Sequence, residues 1–181
     1  CSPIENQGEL GSCTANAGTG LFEYFEKKAS STYIDASRLF LYKTTRNLLG
    51  LTGDSGAYLR TTAEAMLLFG VPPEKYYPYI ISNFDDEPAA FLYSFADNYK
   101  AVNYYRYDPP GTTKTQLLSS IKRNLGAGLP SMFGFTVYTS INLAAGSGEI
   151  PYPSQGEKMM GGHAVCAVGY DDSKVIVNPS N

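Results

Sequence analysis

Gln7 and Cys13 stand six residues apart in Gln7-Gly8-Glu9-Leu10-Gly11-Ser12-Cys13, and the single histidine, His163, lies far downstream in Gly161-Gly162-His163-Ala164-Val165. A thiol and an imidazole are the two groups of a nucleophile and its base: the thiolate attacks a carbonyl carbon and the imidazole moves the proton. Attack drives negative charge onto the carbonyl oxygen, so the reaction also needs donors aimed at that oxygen. The Gln7 amide and the Cys13 backbone N–H are candidates for that task.

Local structure decides whether such groups are usable. Gly11 and Ser12 break and cap, and the small residues that follow, with Leu21, Phe22 and Phe25 at helical spacing, predict a buried helix starting at or just after Cys13. A thiol there sits at the positive end of the helix. Thiols in that position beside an imidazolium ionise well below the ordinary thiol range, so the attacking species exists before substrate arrives.

The rest of the first half also reads as helical. Asp35 is expected to cap a helix whose apolar face is Leu39, Phe40, Tyr42 and Leu48, with Gly50 at its stop. Leu59, Ala63, Met66 and Leu67 predict another helix up to Gly70, and Val71-Pro72-Pro73 forbids continuation. Asp85-Asp86-Glu87-Pro88 reads as the start of a helix through Ala90, Phe91, Tyr93 and Phe95.

From Ala101 the texture changes. Val102 to Tyr107 predicts a strand, ended by Asp108-Pro109-Pro110-Gly111, which sets a boundary between a helical lobe, 1–100, and a mainly β lobe, 101–181. Thr113 to Leu125 predicts one amphipathic helix with Leu117, Leu118, Ile121 and Leu125 facing inward. Leu129 to Tyr138 and His163 to Val177 read as strands, the second folded back at Asp171-Asp172-Ser173, and 144–156 is a Gly/Pro-rich loop. Cys13 in one half and His163 in the other imply a site between two packed lobes, a common place for a ligand groove.

Composition narrows the function classes. With 181 residues, 43% of them hydrophobic, the chain can bury one sizeable core or two small ones, and a net charge of −3 without Lys/Arg runs gives no footprint for nucleic acid. No apolar run approaches the ~18 residues that span a bilayer. The acidic pairs lack metal-ligand spacing and one histidine excludes a His-rich zinc site, so no metal is expected. Three cysteines leave one thiol over; Cys1 and Cys166 are either reduced structural thiols or a pair. Tyr76, Tyr77, Tyr79, Tyr104, Tyr105 and Tyr107 read as packing residues without a functional role.

Gln7-x5-Cys13 within Gln-Gly-x-x-Gly-Ser-Cys, with Gly-Gly-His163-Ala-Val-x-Ala-Val-Gly169-Tyr170 downstream, resembles the papain-like (C1A) cysteine peptidases, especially their compact prokaryotic members. Asp54-Ser55-Gly56, the run to Phe69-Gly70-Val71, and Tyr76-Tyr77-Pro78-Tyr79 fall in that family's order. The resemblance implies an α+β fold of two lobes, a helical N-terminal lobe and an antiparallel β-barrel-like C-terminal lobe with the active-site cleft between them. It implies Cys13 as nucleophile, His163 as acid and base, and Gln7 as oxyanion donor. A protein or peptide substrate is expected to lie extended along Gly11, Ser12, Ser55, Gly56 and Gly162, with no cofactor. It also implies an inhibitory N-terminal propeptide, in keeping with a chain that opens on Cys1.

Two departures stand out. Thr14 follows the cysteine where the family usually has an aromatic residue. The family's histidine is oriented by an asparagine in Asn-Ser-Trp-Gly, yet this chain has no tryptophan and ends Asn178-Pro179-Ser180-Asn181. The expectation is that the chain stops before that motif, with Asn178 as the candidate inside it. The alternatives are a catalytically impaired peptide-binding relative and a thiol acyltransferase; bacterial cytoplasm, cell envelope and secretion are all compatible with the sequence.

Overall fold

A computed structural model describes residues 2–180. Five α-helices, α1 (Cys13–Ser30), α2 (Arg38–Leu49), α3 (Leu59–Leu68), α4 (Ala90–Ala96) and α5 (Lys114–Gly126), precede two strands, β1 (Ser131–Tyr138) and β2 (Met159–Ala167).

α2 is the spine of the helical half. Every residue from Arg38 to Arg46 is buried, because α1, α3 and α4 surround it. Leu39, Leu41 and Tyr42 join Phe22, Ala65, Met66 and Val71 in the main core, while Phe40 joins Leu92 and Ala96 in a second cluster. Burying a side chain such as Leu41 is worth about 2 kcal/mol. Close approach depends on Gly18: a Cβ there would stand 3.0 Å from Leu41 Cδ2 and 3.1 Å from Thr62 Cγ2. The small residues early in α1 therefore let three helices meet just behind Cys13.

The cap of α2 is Ser37, whose hydroxyl accepts from the Phe40 N–H at 3.2 Å, and not Asp35 as the sequence led us to expect. Serine wins because it can also donate to the Tyr77 carbonyl, at 2.6 Å, and so ties the helix start to the chain beyond α3. Gly50 ends α2 with φ +65, as expected. The acidic run 85–87 lies ahead of α4, engaged with Arg46, Lys43 and Tyr93.

The second half departs further from expectation. Val102 to Tyr107 forms no strand; with no neighbouring strand to take its hydrogen bonds it lies as irregular chain, Val102 95% exposed. α5 forms with a complete capping box between Thr113 and Gln116, but Leu118 faces solvent. β1 and β2 pair antiparallel, from Ser131 opposite Ala167 to Phe135 opposite His163, with a bulge at Val137/Tyr138. After Ala167 no further strand follows among the described residues: 171–173 turns, Asp171 accepting from the Ser173 N–H, but Val175 to Val177 join no ladder there. The sheet among the described residues is therefore open and two-stranded, and the barrel-like description is corrected to that.

Candidate active site

α1 begins at Cys13, which makes it the first helical residue, with its N–H free of any acceptor among the described residues. Ser12 occupies the cap position but its hydroxyl does not cap. It meets the Tyr79 hydroxyl at 2.6 Å and accepts from Asn16 Nδ2 at 3.0 Å. Tyr79 gives its one proton to the Gln7 carbonyl, at 2.9 Å, so Ser12 is the donor in the short Ser12–Tyr79 bond. The diverted serine leaves the first-turn N–H groups available to an anion.

Gln7 reaches its amide to the Leu10 carbonyl at 3.0 Å, which uses one of two amide hydrogens and closes the turn leading to Cys13. Tyr79 in turn is fixed from behind: the Arg38 guanidinium stacks over its ring at 4.2 Å, held by Glu74 and Glu5. Thr14 is buried with its hydroxyl unpaired among the described residues.

Gly11 and Gly56 lie side by side. The Gly11 N–H donates to both oxygens of Asp54, and the Gly56 N–H donates to Tyr42 Oη at 3.1 Å. Gly56 has φ +70, a conformation that suits glycine, and a Cβ on it would approach the Gly11 carbonyl to 3.9 Å. Ser55 is exposed at the same edge.

His163 stands on β2, which packs against α1. Tyr24 and Lys28, in the second half of α1, both donate to the Gly128 carbonyl at 2.9 Å and anchor the Ser131/Ala167 end of the ladder there. Four residues back along β2, about 13 Å, lies His163, and eleven residues back along α1, about 16 Å, lies Cys13. Gly134, opposite Ala164, packs on Leu59 at the start of α3, 3.5 Å from where a Cβ would stand.

Strand alternation puts Ala164 on the helical side and His163 on the other face, with Phe133, Phe135 and Val165 around a shallow groove of about 370 Å³. The imidazole meets Phe135 edge-on, ring centres 5.8 Å apart. Neither the Cys13 thiol nor the His163 ring has a hydrogen-bond partner among the described residues, so the two are not joined to each other in this structure. Gly162 is exposed on β2, opposite Thr136.

Asn178 is buried and committed elsewhere. Its amide donates to the Tyr152 carbonyl at 2.9 Å and to Glu157 at 3.0 Å, and its oxygen accepts from the Ser180 N–H. Cys166 is a partly buried free thiol, pushed by burial up to about 11; Cys1, its candidate partner, lies outside the described residues. Among the described residues no three His, Cys, Asp or Glu side chains gather as a metal site.

The residues that brace this segment carry no sequence signal of that role. Tyr79 has the pattern of a packing residue and Tyr42 that of an apolar helix face, since a long-range hydroxyl bond leaves no periodic trace. Asp54 belongs to the Asp54-Ser55-Gly56 motif, whose spacing assigns the carboxylate no task.

Comparison with known proteins identifies the family and the fold. The family model described as papain family cysteine protease matches residues 1–178. An uncharacterised peptidase C1-like protein of Acanthamoeba polyphaga mimivirus is 36% identical over 173 residues, which are 93% of this chain and 56% of the relative. The chain thus spans little more than half the length of that curated relative. Xylellain, a cysteine protease from Xylella fastidiosa, superposes with a TM-score of 0.80 at 33% identity, over 95% of this chain and 68% of xylellain. Digestive procathepsin L 3 of Tenebrio molitor, at 20% identity and a TM-score of 0.65 over 94% of this chain and 53% of its own, shares the fold.

Proposed function

The chain belongs to the papain family of cysteine proteases, and from that premise we propose that it hydrolyses peptide bonds in protein substrates through Cys13 and His163. The thiolate of Cys13 attacks the scissile carbonyl carbon, forming the carbon–sulfur bond while the carbonyl electrons move to oxygen. The Cys13 N–H and the second Gln7 amide hydrogen receive that oxyanion. His163 then gives a proton to the leaving amine as the carbon–nitrogen bond breaks, and removes one from the water that releases the acid from sulfur.

The observation that carries this reading is the state of the helix start: Cys13 opens α1, Ser12 is diverted to Tyr79, and the terminal N–H is unspent. The cleft is assigned to the junction of the lobes 1–100 and 101–181, with substrate backbone along Gly11, Ser12, Ser55, Gly56 and Gly162. An N-terminal propeptide that covers this cleft belongs to the same proposal.

The Cys13 thiol and the His163 ring are not hydrogen-bonded to each other among the described residues, and His163 lines the face of β2 with Phe133, Phe135 and Val165, so catalysis requires a rearrangement of β2 against the start of α1 that brings imidazole and thiol together. Cys13→Ala should abolish hydrolysis of a peptide substrate while the fold is retained, and Gln7→Ala should lower kcat by about 10²–10³. Hydrolysis surviving in Cys13→Ala would refute the assignment.

A second reading, a peptide-binding relative without turnover, draws on one observation: the His163 ring has no orienting partner among the described residues, and Asn178 is spent on Tyr152 and Glu157. Saturable peptide binding without product distinguishes it. Nothing comparable favours a thiol acyltransferase.

A further inference from the structure

Resting on the reading of Cys13 as a peptidase nucleophile, we propose that Asp54 is a positioning residue whose carboxylate, with Tyr42, clasps the Gly11 turn ahead of Cys13 to the Gly56 edge assigned to substrate backbone. The Gly11 N–H donates to Asp54 Oδ1 at 2.9 Å and Oδ2 at 3.1 Å, the Tyr42 hydroxyl donates to Oδ1 at 2.6 Å, and the Gly56 N–H donates to the Tyr42 oxygen at 3.1 Å. The only phenolic hydrogen of Tyr42 goes to the carboxylate, so its oxygen is free to accept from Gly56. Burial, reinforced by the bond to Asp54, pushes the phenol's pKa well up and keeps it a donor.

The clasp stands on rigid ground although Asp54 itself lies at the surface. Tyr42 is fully buried in α2, under the Arg46 guanidinium at 4.3 Å, and Arg46 donates to the Gly53 carbonyl, one residue before Asp54, at 2.6 Å. The approach is close: a Cβ on Gly11 would stand 2.9 Å from Asp54 Oδ1. Two loops that share no secondary structure are thereby made into one piece, and it carries the nucleophile turn on one side and a substrate-backbone donor or acceptor edge on the other. A loosening of about 1 Å between them would cost on the order of 10² in rate.

The experiment compares Asp54→Asn, Asp54→Leu and Tyr42→Phe with wild type in steady-state peptide hydrolysis, and follows amide hydrogen exchange of the peptides containing Gly11 and Gly56. Asn keeps an oxygen at the Oδ1 position and should hold kcat/KM within about threefold. Leu, similar in size but with no acceptor, should lower kcat/KM by about 10² through both kcat and KM, and both amides should exchange faster. Tyr42→Phe removes the bonds from Tyr42 to Asp54 and from Gly56 to Tyr42 while leaving Gly11 on Asp54, so KM should rise about fivefold or more with kcat within about twofold. The clasp is overturned if Asp54→Leu, folded, matches wild type, or if Asn is as impaired as Leu. Should Asp54→Leu fail to fold, an unchanged KM in Tyr42→Phe overturns it. Should wild type itself not hydrolyse peptide, the peptidase reading falls, while the exchange rates still decide the clasp: unchanged Gly11 and Gly56 exchange in Asp54→Leu sinks it.

Discussion

Tyr79→Phe isolates one hydroxyl. That hydroxyl donates to the Gln7 carbonyl at 2.9 Å and accepts from Ser12 at 2.6 Å, while the Arg38 guanidinium 4.2 Å above the ring retains an aromatic face after the change. Each bond is worth about 1 kcal/mol net, and Ser12, wholly buried, loses the acceptor of its proton. The expected loss of stability is therefore about 2–3 kcal/mol, read as a lower urea midpoint with unchanged m. The functional consequence follows from the geometry. Released from Tyr79, Ser12 is free to turn its hydroxyl onto the first-turn N–H groups of α1, as serines at this position ordinarily do, and Gln7 loses the anchor of its own backbone. Both changes fall on oxyanion stabilisation, so kcat should drop about 10–10² at nearly constant KM, less than deletion of the Gln7 amide itself. A variant within about 0.5 kcal/mol of wild type and with wild-type kcat would refute this account of how the segment is braced.

Arg46→Met removes a fully buried guanidinium that donates to the Gly53 carbonyl, the Phe84 carbonyl and Asp85, and should cost at least about 3 kcal/mol in denaturant unfolding; a change below about 1 kcal/mol would contradict that packing. In acid, two carboxylates should set the fall in stability. The Gly53 N–H, and then Arg46, hold Asp85 at about 2, and the Ser154 N–H chiefly holds Glu157 at about 2. Because the folded-state values lie below the unfolded ones, their contribution is complete above about pH 5 and lost between about pH 4 and 2. Thermal melts across that range, repeated on Asp85→Asn and Glu157→Gln, should show shallower acid slopes in both variants; slopes equal to wild type would dismiss these groups.

The helical half was legible because its signals are local. Periodicity gave α1 and α3, Gly50 gave the end of α2 and Gly70 that of α3; the helix starts shifted, the cap of α2 from Asp35 to Ser37, where a second bond to Tyr77 decided the matter, and α4 from the acidic run to Ala90. The β half was less legible, since strand-forming composition does not supply a partner. Val102 to Tyr107 and Val175 to Val177 have the residues of strands, but among the described residues no strand lies beside them to form a ladder. Family membership was readable from the contexts of Cys13 and His163, and the matching family model and structural neighbours agree with it. What surrounds Cys13 was not readable: Tyr79, Tyr42 and Asp54 act over separations of 67, 14 and 43 residues, through hydroxyl and carboxylate contacts that no spacing rule anticipates.

The central claim, that the Cys13 thiol is the nucleophile that His163 activates, is tested most directly by locating a thiol-directed epoxide inhibitor after reaction at neutral pH. Mass-spectrometric mapping should find one equivalent of label on Cys13, slowed by peptide substrate and slowed about 10²-fold or more in His163→Ala, while Cys166, a thiol that burial keeps protonated, stays unmodified. Label on Cys166 in place of Cys13, or undiminished labelling of Cys13 in His163→Ala, would contradict the account.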